Sequence, residues 1–255
     1  MRSAGERTQV LALVAEGLND CAIARTTGVP RSTVRDWRHG RFVTAQRIAD
    51  TGCPRCGGDP HDFDRLPEPA YAYLLGAYLG DGHIVLGNRG VYRLRIFLDS
   101  RYPGIIQEIA EAMEAVMPGK TTYRAHHRTA ALVVLHMYSK QWPCLFPQHG
   151  PGRKHDRPIY LADWQQRIIE NHHQEFLRGL IHSDGCRHMN RVWHGDKAYE
   201  YSRYNFSNVS ADIRGLFCAS CDALGIAWRR MNARNISVAR REAVAALDAF
   251  IGPKR

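Results

Sequence analysis

The chain has 255 residues, 44% of them hydrophobic, which suits one large domain or a domain with a small module. Its formal net charge of +10 favours a polyanionic partner, and no apolar run approaches the roughly 18 residues of a membrane span, so nucleic acid is favoured over membrane. Met1 to Thr8 lacks the apolar core of a signal peptide, and the seven cysteines include two C-x-x-C pairs, so a cytoplasmic, nucleoid-associated protein with metal sites is expected rather than a disulfide framework.

Residues 6–41 form the first unit. Val10, Leu11, Leu13 and Val14 mark one amphipathic helix. Asn19 is placed to cap a second through Ala22, Ile23 and Ala24, Gly28 makes a turn, and Pro30-Arg31-Ser32 opens a third with Thr33, Val34 and Trp37. The order of small Ala24, turning Gly28 and apolar Val34 resembles a helix-turn-helix, the competing reading being a generic three-helix bundle with a basic surface. In the helix-turn-helix reading Arg31, Ser32, Arg35 and Arg38 are available to a DNA groove.

A linker follows, with Cys53-Pro54-Arg55-Cys56-Gly57-Gly58 shaped as a zinc knuckle. A structural zinc takes four ligands. Cys218 and Cys221 are the candidate partners and His61 the reserve; the competing reading makes Cys218 and Cys221 small core residues. The expected domains are therefore a helix-turn-helix module at 1–45, a linker at 46–67, and two halves at 68–158 and 159–255.

The halves are expected because one nine-residue stretch occurs twice. Leu74 to Gly82 and Leu177 to Gly185 match in Leu, Gly, Asp and the closing Gly at positions one, three, eight and nine. Both read as helices, with Gly76 and Gly179 allowing a second backbone to come close and Gly82 and Gly185 expected in the left-handed region past each helix end. Asp81 and Asp184 then sit at helix C-termini, where the dipole disfavours negative charge. If the helices pack side by side, the carboxylates face each other, and like charges that close need a cation between them. A divalent metal, Mg²⁺ or Mn²⁺, is the natural choice.

After the first motif, residues 83–98 alternate as strands, with Tyr92, Leu94, Ile96 and Leu98 on one face and Arg93 and Arg95 on the other. A helix over 102–117 and strands near 120–127 and 131–138 follow. The second half repeats the order: strands near 186–194 and 198–207, the latter carrying Tyr199, Tyr201, Arg203 and Asn205 on one face, a helix ending near Leu224, strands at 227–233 and 235–239, and a last helix from Arg241 to Phe250. Each half closes on a Gly-Pro element followed by a lysine, Lys154 or Lys254. The fold class is thus α+β, a duplicated αββαββα unit behind a small all-α module.

With two motif copies, one strand order after each, and one closing element for each half, residues 68–255 resemble a single-chain protein of the LAGLIDADG homing-endonuclease superfamily. The motif departs from the family pattern at position six, Leu79 and His182. The resemblance implies a saddle of two sheets laid along double-stranded DNA by a monomer with internal pseudo-two-fold symmetry. It implies Asp81 and Asp184 as catalytic acids and ligands of Mg²⁺, Lys154 and Lys254 as catalytic-site lysines, and Arg93, Arg95, Arg203 and Arg230 as DNA contacts. The implied activity is metal-dependent cleavage of double-stranded DNA at a long site. The alternative is a cleavage-silent transcription regulator built on the same saddle and helix-turn-helix.

Overall fold

A computed structural model describes residues 3–40, 52–252 and 254. Residues 41–51, which hold the end of the expected first module and the start of the linker, lie outside the described residues, as do Pro253 and Arg255 of the closing element. The chain divides into two compact units, Met1–Pro60 and His61–Arg255.

The first unit contains α1 (Ala4–Ala15), α2 (Asp20–Thr27) and α3 (Arg31–Arg38). Ser3 and Glu6 cap α1 reciprocally, and Asn19 caps α2 through the Ala22 amide at 3.0 Å. Gly28 ends α2 in the left-handed region, with φ of 69°. Val10, Ile23, Val29 and Val34 close a small core, against which Leu13, Val14, Leu18, Ala24 and Trp37 pack. So Val34 plugs the core as the spacing predicts, and the small Ala24 admits the neighbouring helix.

The second unit is built on α4 (Glu68–Asp81) and α8 (His173–Asp184), which carry the motifs. Around them run β1 (Gly82–Leu86), β2 (Tyr92–Asp99), α5 (Pro103–Val116), β3 (Tyr123–His126), β4 (Leu132–Ser139), α6 (Trp142–Leu145) and α7 (Asp163–Asn171). After α8 come β5 (Gly185–His194), β6 (Lys197–Ser207), α9 (Ala211–Ala223), β7 (Arg229–Arg230), β8 (Asn235–Val238) and α10 (Arg241–Ile251). Two four-stranded antiparallel sheets result, ordered β1-β2-β4-β3 and β5-β6-β8-β7. The identical order confirms the expected duplicated α+β fold.

All nine residues from Tyr71 to Leu79 are buried, which makes α4 a core helix rather than an amphipathic one. It lies along α8 at a separation only glycine allows. A Cβ on Gly76 would stand 2.8 Å from the Leu180 nitrogen, and one on Gly179 would stand 2.9 Å from the Ala77 nitrogen. The sheets alternate with period two. Leu94, Ile96, Leu98, Val133, Leu135 and Met137 face the core in the first half; Tyr204, Phe206, Ile236 and Val238 face it in the second. Arg93, Arg95 and Arg203 therefore lie on the opposite, outer faces.

One expectation fails. Gly82 and Gly185 are not left-handed: their φ values are −85° and −106°, extended backbone that begins β1 and β5. Glycine is needed there because each strand starts hard against its own helix. A Cβ on Gly82 would come within 2.6 Å of the Tyr78 carbonyl, and one on Gly185 within 2.7 Å of the Ile181 Cα.

Candidate active site

The close crossing of α4 and α8 brings the ends of both motifs together. A Cβ on Gly80 would lie 3.2 Å from the Asp184 carboxyl carbon, so the second acid rests against the residue preceding the first. Both acids are half-buried. Burial, then the neighbouring Asp184, raises the Asp81 carboxyl to about 6, against the pull of Lys154 and Lys254. Burial also raises Asp184, opposed by a hydrogen bond from Asn208 and by the same two lysines.

Each lysine seats itself under its own motif helix. Lys154 donates to the carbonyls of Gly80 and Gly82, both at 3.0 Å, and to that of Tyr78. Lys254 donates to the carbonyls of His182 at 3.2 Å and Gly185 at 2.5 Å. These carbonyls belong to the helix ends, where the dipole is negative, so each ammonium offsets the cost of placing an aspartate there. Burial lowers both lysines, Lys154 to about 8, while the two aspartates pull the other way. The four residues expected from sequence thus meet in one centre. A cleft of about 270 Å³ opens on it, lined in part by Gly80, Lys154, Asp184, Ser207, Asn208 and Arg234.

His182 packs and caps. Its Nε2 donates to the Ile251 carbonyl at 3.2 Å, which leaves Nδ1 to accept from the Tyr73 hydroxyl at 2.9 Å. Burial lowers its pKa to about 4, so the ring is neutral. Sequence reasoning missed Asn208, whose amide donates to the Asp184 carboxylate at 2.5 Å. No local spacing marks a residue 24 positions downstream at a strand end.

Arg93 and Arg95 lie over the rings of Tyr138 and Phe97, at 5.9 and 4.8 Å. Arg203 shares an outer face with Asn205, and Arg230 is exposed on β7. In the first unit Arg31, Ser32 and Arg35 are exposed on α3. Arg38 is not available in the same way: it ion-pairs with Asp20 at 2.7 Å and donates to the Leu18 carbonyl at 2.5 Å.

Cys53 and Cys56, at the end of the first unit, offer the two soft ligands of the expected metal site. The knuckle has the expected form, the Gly58 amide donating to the Cys56 sulfur at 3.4 Å. Cys218 and Cys221 lie on α9 of the second unit. α9 turns Cys221 into the core and packs Cys218 against it, and burial raises both thiols, Cys218 to about 11. This placement favours the core reading of that pair.

A homeodomain-like family model, HTH_23, matches residues 1–41. The structure of I-DmoI in complex with DNA and Mn matches with a TM-score of 0.50 at 16% identity, over 73% of this chain and 98% of that one. The larger unit has the LAGLIDADG fold. Mesophilic variants of the homing endonuclease I-DmoI match with a TM-score of 0.49 at 14% identity, over 73% of this chain and 97% of theirs. Full-length DUF199/WhiA from Thermatoga maritima matches with a TM-score of 0.45 at 16% identity, over 76% of this chain and 60% of that one. No curated protein matches in sequence. No helix among the described residues is long and apolar enough to cross a membrane.

Proposed function

We propose that the chain is a site-specific endonuclease that hydrolyses double-stranded DNA with a divalent metal, one chain serving both strands. The observation that carries this reading is the pairing at the helix crossing: two half-buried carboxylates, each with a half-buried lysine under its own motif helix. The donor set fits a hard cation, because two carboxylates raised by burial, and Asp81 further by its neighbour's charge, gain most from a positive charge shared between them. Asp81 and Asp184 would hold Mg²⁺ or Mn²⁺. When bound, such an ion supplies Lewis-acid chemistry, generating a nucleophilic water at neutral pH and neutralising charge on the phosphate.

The protein's own groups do the rest. The aspartates repel phosphate until their charge is balanced, which ties productive binding to the ion. Lys154 and Lys254 fix positive charge near the acids, where it stabilises a developing phosphorane-like charge. The outer sheet faces, with Arg93, Arg95 and Arg203, track the duplex, and Arg230 adds an exposed charge on the edge strand. Arg31, Ser32 and Arg35 add a second contact with DNA.

The cleavage-silent regulator remains the second reading, and one observation favours it: the lysine ammonium groups already donate to motif-helix carbonyls, as structural caps would. A duplex selected by binding decides between the two. It is incubated with wild type, Asp81→Asn and Asp184→Asn, with Mg²⁺ or with chelator. The nuclease reading expects cutting by wild type in Mg²⁺ alone and near-normal binding by both variants. Tight binding without cutting in Mg²⁺ or Mn²⁺ establishes the regulator.

We also propose a structural zinc on the Cys53-Cys56 knuckle, whose thiolate pair is the soft donor type that zinc prefers. Elemental analysis checks it: about one zinc per chain, as a four-ligand site holds, lost in Cys53→Ser and in Cys56→Ser but kept in Cys218→Ser.

A further inference from the structure

Lys154 and Lys254 reach the centre from short, irregular chain. Lys154 opens a single 3-10 turn, Lys154–Asp156, and Lys254 stands just past the end of α10. Each comes two residues after a glycine in the left-handed region, Gly152 with φ of 73° and Gly252 with φ of 72°. A lysine there has a flexible four-carbon stem and no long helix or strand to fix its Cα. Something else must hold each one.

The chain leading to Lys154 is gripped by Arg157. Its Nη1 donates to the carbonyls of Gly150, Pro151 and Gly152, at 2.8, 2.8 and 2.9 Å, and its Nη2 to that of Gln148 at 3.0 Å. Gly150 packs on the guanidinium, since a Cβ there would stand 3.4 Å from Arg157 Nε. The Arg157 amide donates to the Lys154 carbonyl at 3.3 Å and closes the turn. Gln148 ties this loop to the core: it is buried, and its side-chain amide donates to the Tyr160 carbonyl at 2.7 Å and to Gln165 Oε1 at 2.6 Å.

The second half uses a different grip. The Ile251 carbonyl, in the last turn of α10, accepts from Arg178 Nε and His182 Nε2, both at 3.2 Å. That turn holds no basic residue, so α8 supplies the cation that its open carbonyls favour. Arg178 is itself fixed by the first half. Its Nη2 ion-pairs with Glu108 of α5 at 2.7 Å, and its guanidinium lies over the Tyr73 ring of α4 at 5.4 Å. Lys254, three residues on, turns back to the His182 and Gly185 carbonyls. The motif helix thus holds Ile251 and Lys254 together.

We propose that Arg157 and Arg178 are positioning residues, Arg157 setting the place of Lys154 and Arg178 that of Lys254. The placing needs no nuclease; its consequence for rate rests on the nuclease reading above. An ammonium that stabilises a developing charge does so only where it is held beforehand, and a lysine stem does not hold itself.

The test uses the full chain with isotopically labelled lysine nitrogen. In NMR an ammonium gives a resolved signal when hydrogen bonds slow its exchange with water. The chain has five lysines, of which Lys120, Lys140 and Lys197 are exposed. At mildly acidic pH, where Lys154 is charged, two signals are therefore expected, assigned by Lys154→Met and Lys254→Met. Arg157→Met should lose the Lys154 signal and keep that of Lys254, and Arg178→Met should do the reverse. Arg157→Lys and Arg178→Lys serve where a Met variant fails to fold. Each should lose the same signal, because one ammonium cannot span four carbonyls, or Ile251 and Glu108 at once. On a selected duplex in Mg²⁺, each Arg variant should bind as wild type does and cut about ten- to hundredfold more slowly. Persistence of a lysine's signal without its arginine, or loss of both signals together in either variant, overturns the proposal. So does wild-type chain with neither signal, or an Arg variant that cuts at the wild-type rate. A wild type that binds and never cuts overturns the nuclease reading alone, and the two signals still decide the positioning.

Discussion

The Asn208 side-chain amide is clamped at both ends: its Oδ1 accepts from the Ser210 backbone amide at 2.8 Å and its Nδ2 donates to the Asp184 carboxylate at 2.5 Å. Arg214 holds the loop from beneath by donating to the Asn208 and Val209 carbonyls, at 2.6 and 2.9 Å. Asp81 has no such partner among the described residues. The two registers say why. Gly185 pairs with Phe206 and Gly82 with Ile96, so the position of Asn208 corresponds to Leu98, a buried apolar residue. The two halves of the centre therefore differ chemically: one acid is oriented by a side-chain amide and the other is not, among the described residues.

That difference separates the strands. In the nuclease reading each half serves one strand, and the fixed acid needs no reorganisation. Asn208→Leu, which copies the first half, removes a hydrogen bond to a charged group, about 1.5 kcal/mol or more and hence roughly tenfold in rate. With each strand of a selected target labelled, this variant is expected to slow one strand and accumulate nicked duplex. Equal slowing of both strands without a nicked intermediate shows that the two acids act as one indivisible site.

The raised carboxyl of Asp81 makes stability depend on pH. The folded pKa of about 6 exceeds the ordinary 3.8. Below 3.8 both states hold the proton and the group contributes nothing. Between 3.8 and 6 the unfolded chain loses its proton while the folded chain keeps it, so stability falls as pH rises, and above 6 the full penalty is present. Asp81→Asn is expected to raise the melting temperature at pH 7.5 and to have little effect near pH 4. Partial solvent access reduces the gain to about 1 kcal/mol. Mg²⁺ at pH 7.5 should stabilise wild type more than this variant. An Asp81→Asn gain that is constant from pH 4 to 7.5 would mean that the carboxyl is not perturbed.

The glycines of the helix crossing give a paired prediction. Gly179→Ala pushes a methyl group to 2.9 Å from the Ala77 backbone nitrogen, where no flexible side chain can yield, so the helices must separate. A loss of about 3 kcal/mol or more is expected, beyond ordinary overpacking. Gly215 lies on the exposed side of α9 with nothing within 4 Å of an added Cβ. Gly215→Ala should instead stabilise by about 0.5–1 kcal/mol through the unfolded chain. Denaturant melts of both variants check this. Similar effects at the two positions would remove the close crossing as the reason for the motif glycine.

What could be read in the sequence was what short spacing encodes. Gly76 and Asp81, like Gly179 and Asp184, lie five residues apart, so a helix alone fixes their relation. The period-two strands placed Arg93 and Arg203 on outer faces for the same reason. The misread glycines, Gly82 and Gly185, obey a tertiary constraint, the strand folding back on its own helix. The lysines were located by their place after the last strand, but their seating on helix carbonyls joins groups 69–76 residues apart. The place of Asn208 beside Asp184 depends on register between strands, which a single sequence does not display.

Arg38 carries the last prediction, because spacing and structure assign it different work. On the helical wheel it belongs with Arg31 and Arg35 as a groove-facing cation. In the structure its guanidinium turns back to Asp20, at the start of α2, and to the Leu18 carbonyl, tying the third helix to the turn before the second. Removing it leaves a partly buried carboxylate without its partner and a carbonyl unsatisfied, a loss of about 1–2 kcal/mol of stability in the first unit. Arg35→Ala removes a charge that is exposed on α3. It should therefore weaken DNA binding, lower the slope of affinity against salt by about one ion, and leave stability unchanged. Hydrogen exchange at the core amides of Val10, Ile23 and Val34 reads stability in the full chain, and duplex titrations across a salt series read binding. Arg38→Ala is expected to speed exchange at all three amides, and to weaken DNA binding only in proportion to the fraction unfolded. If its exchange matches wild type while its binding falls as in Arg35→Ala, the internal tie is not structural and Arg38 joins the DNA contacts.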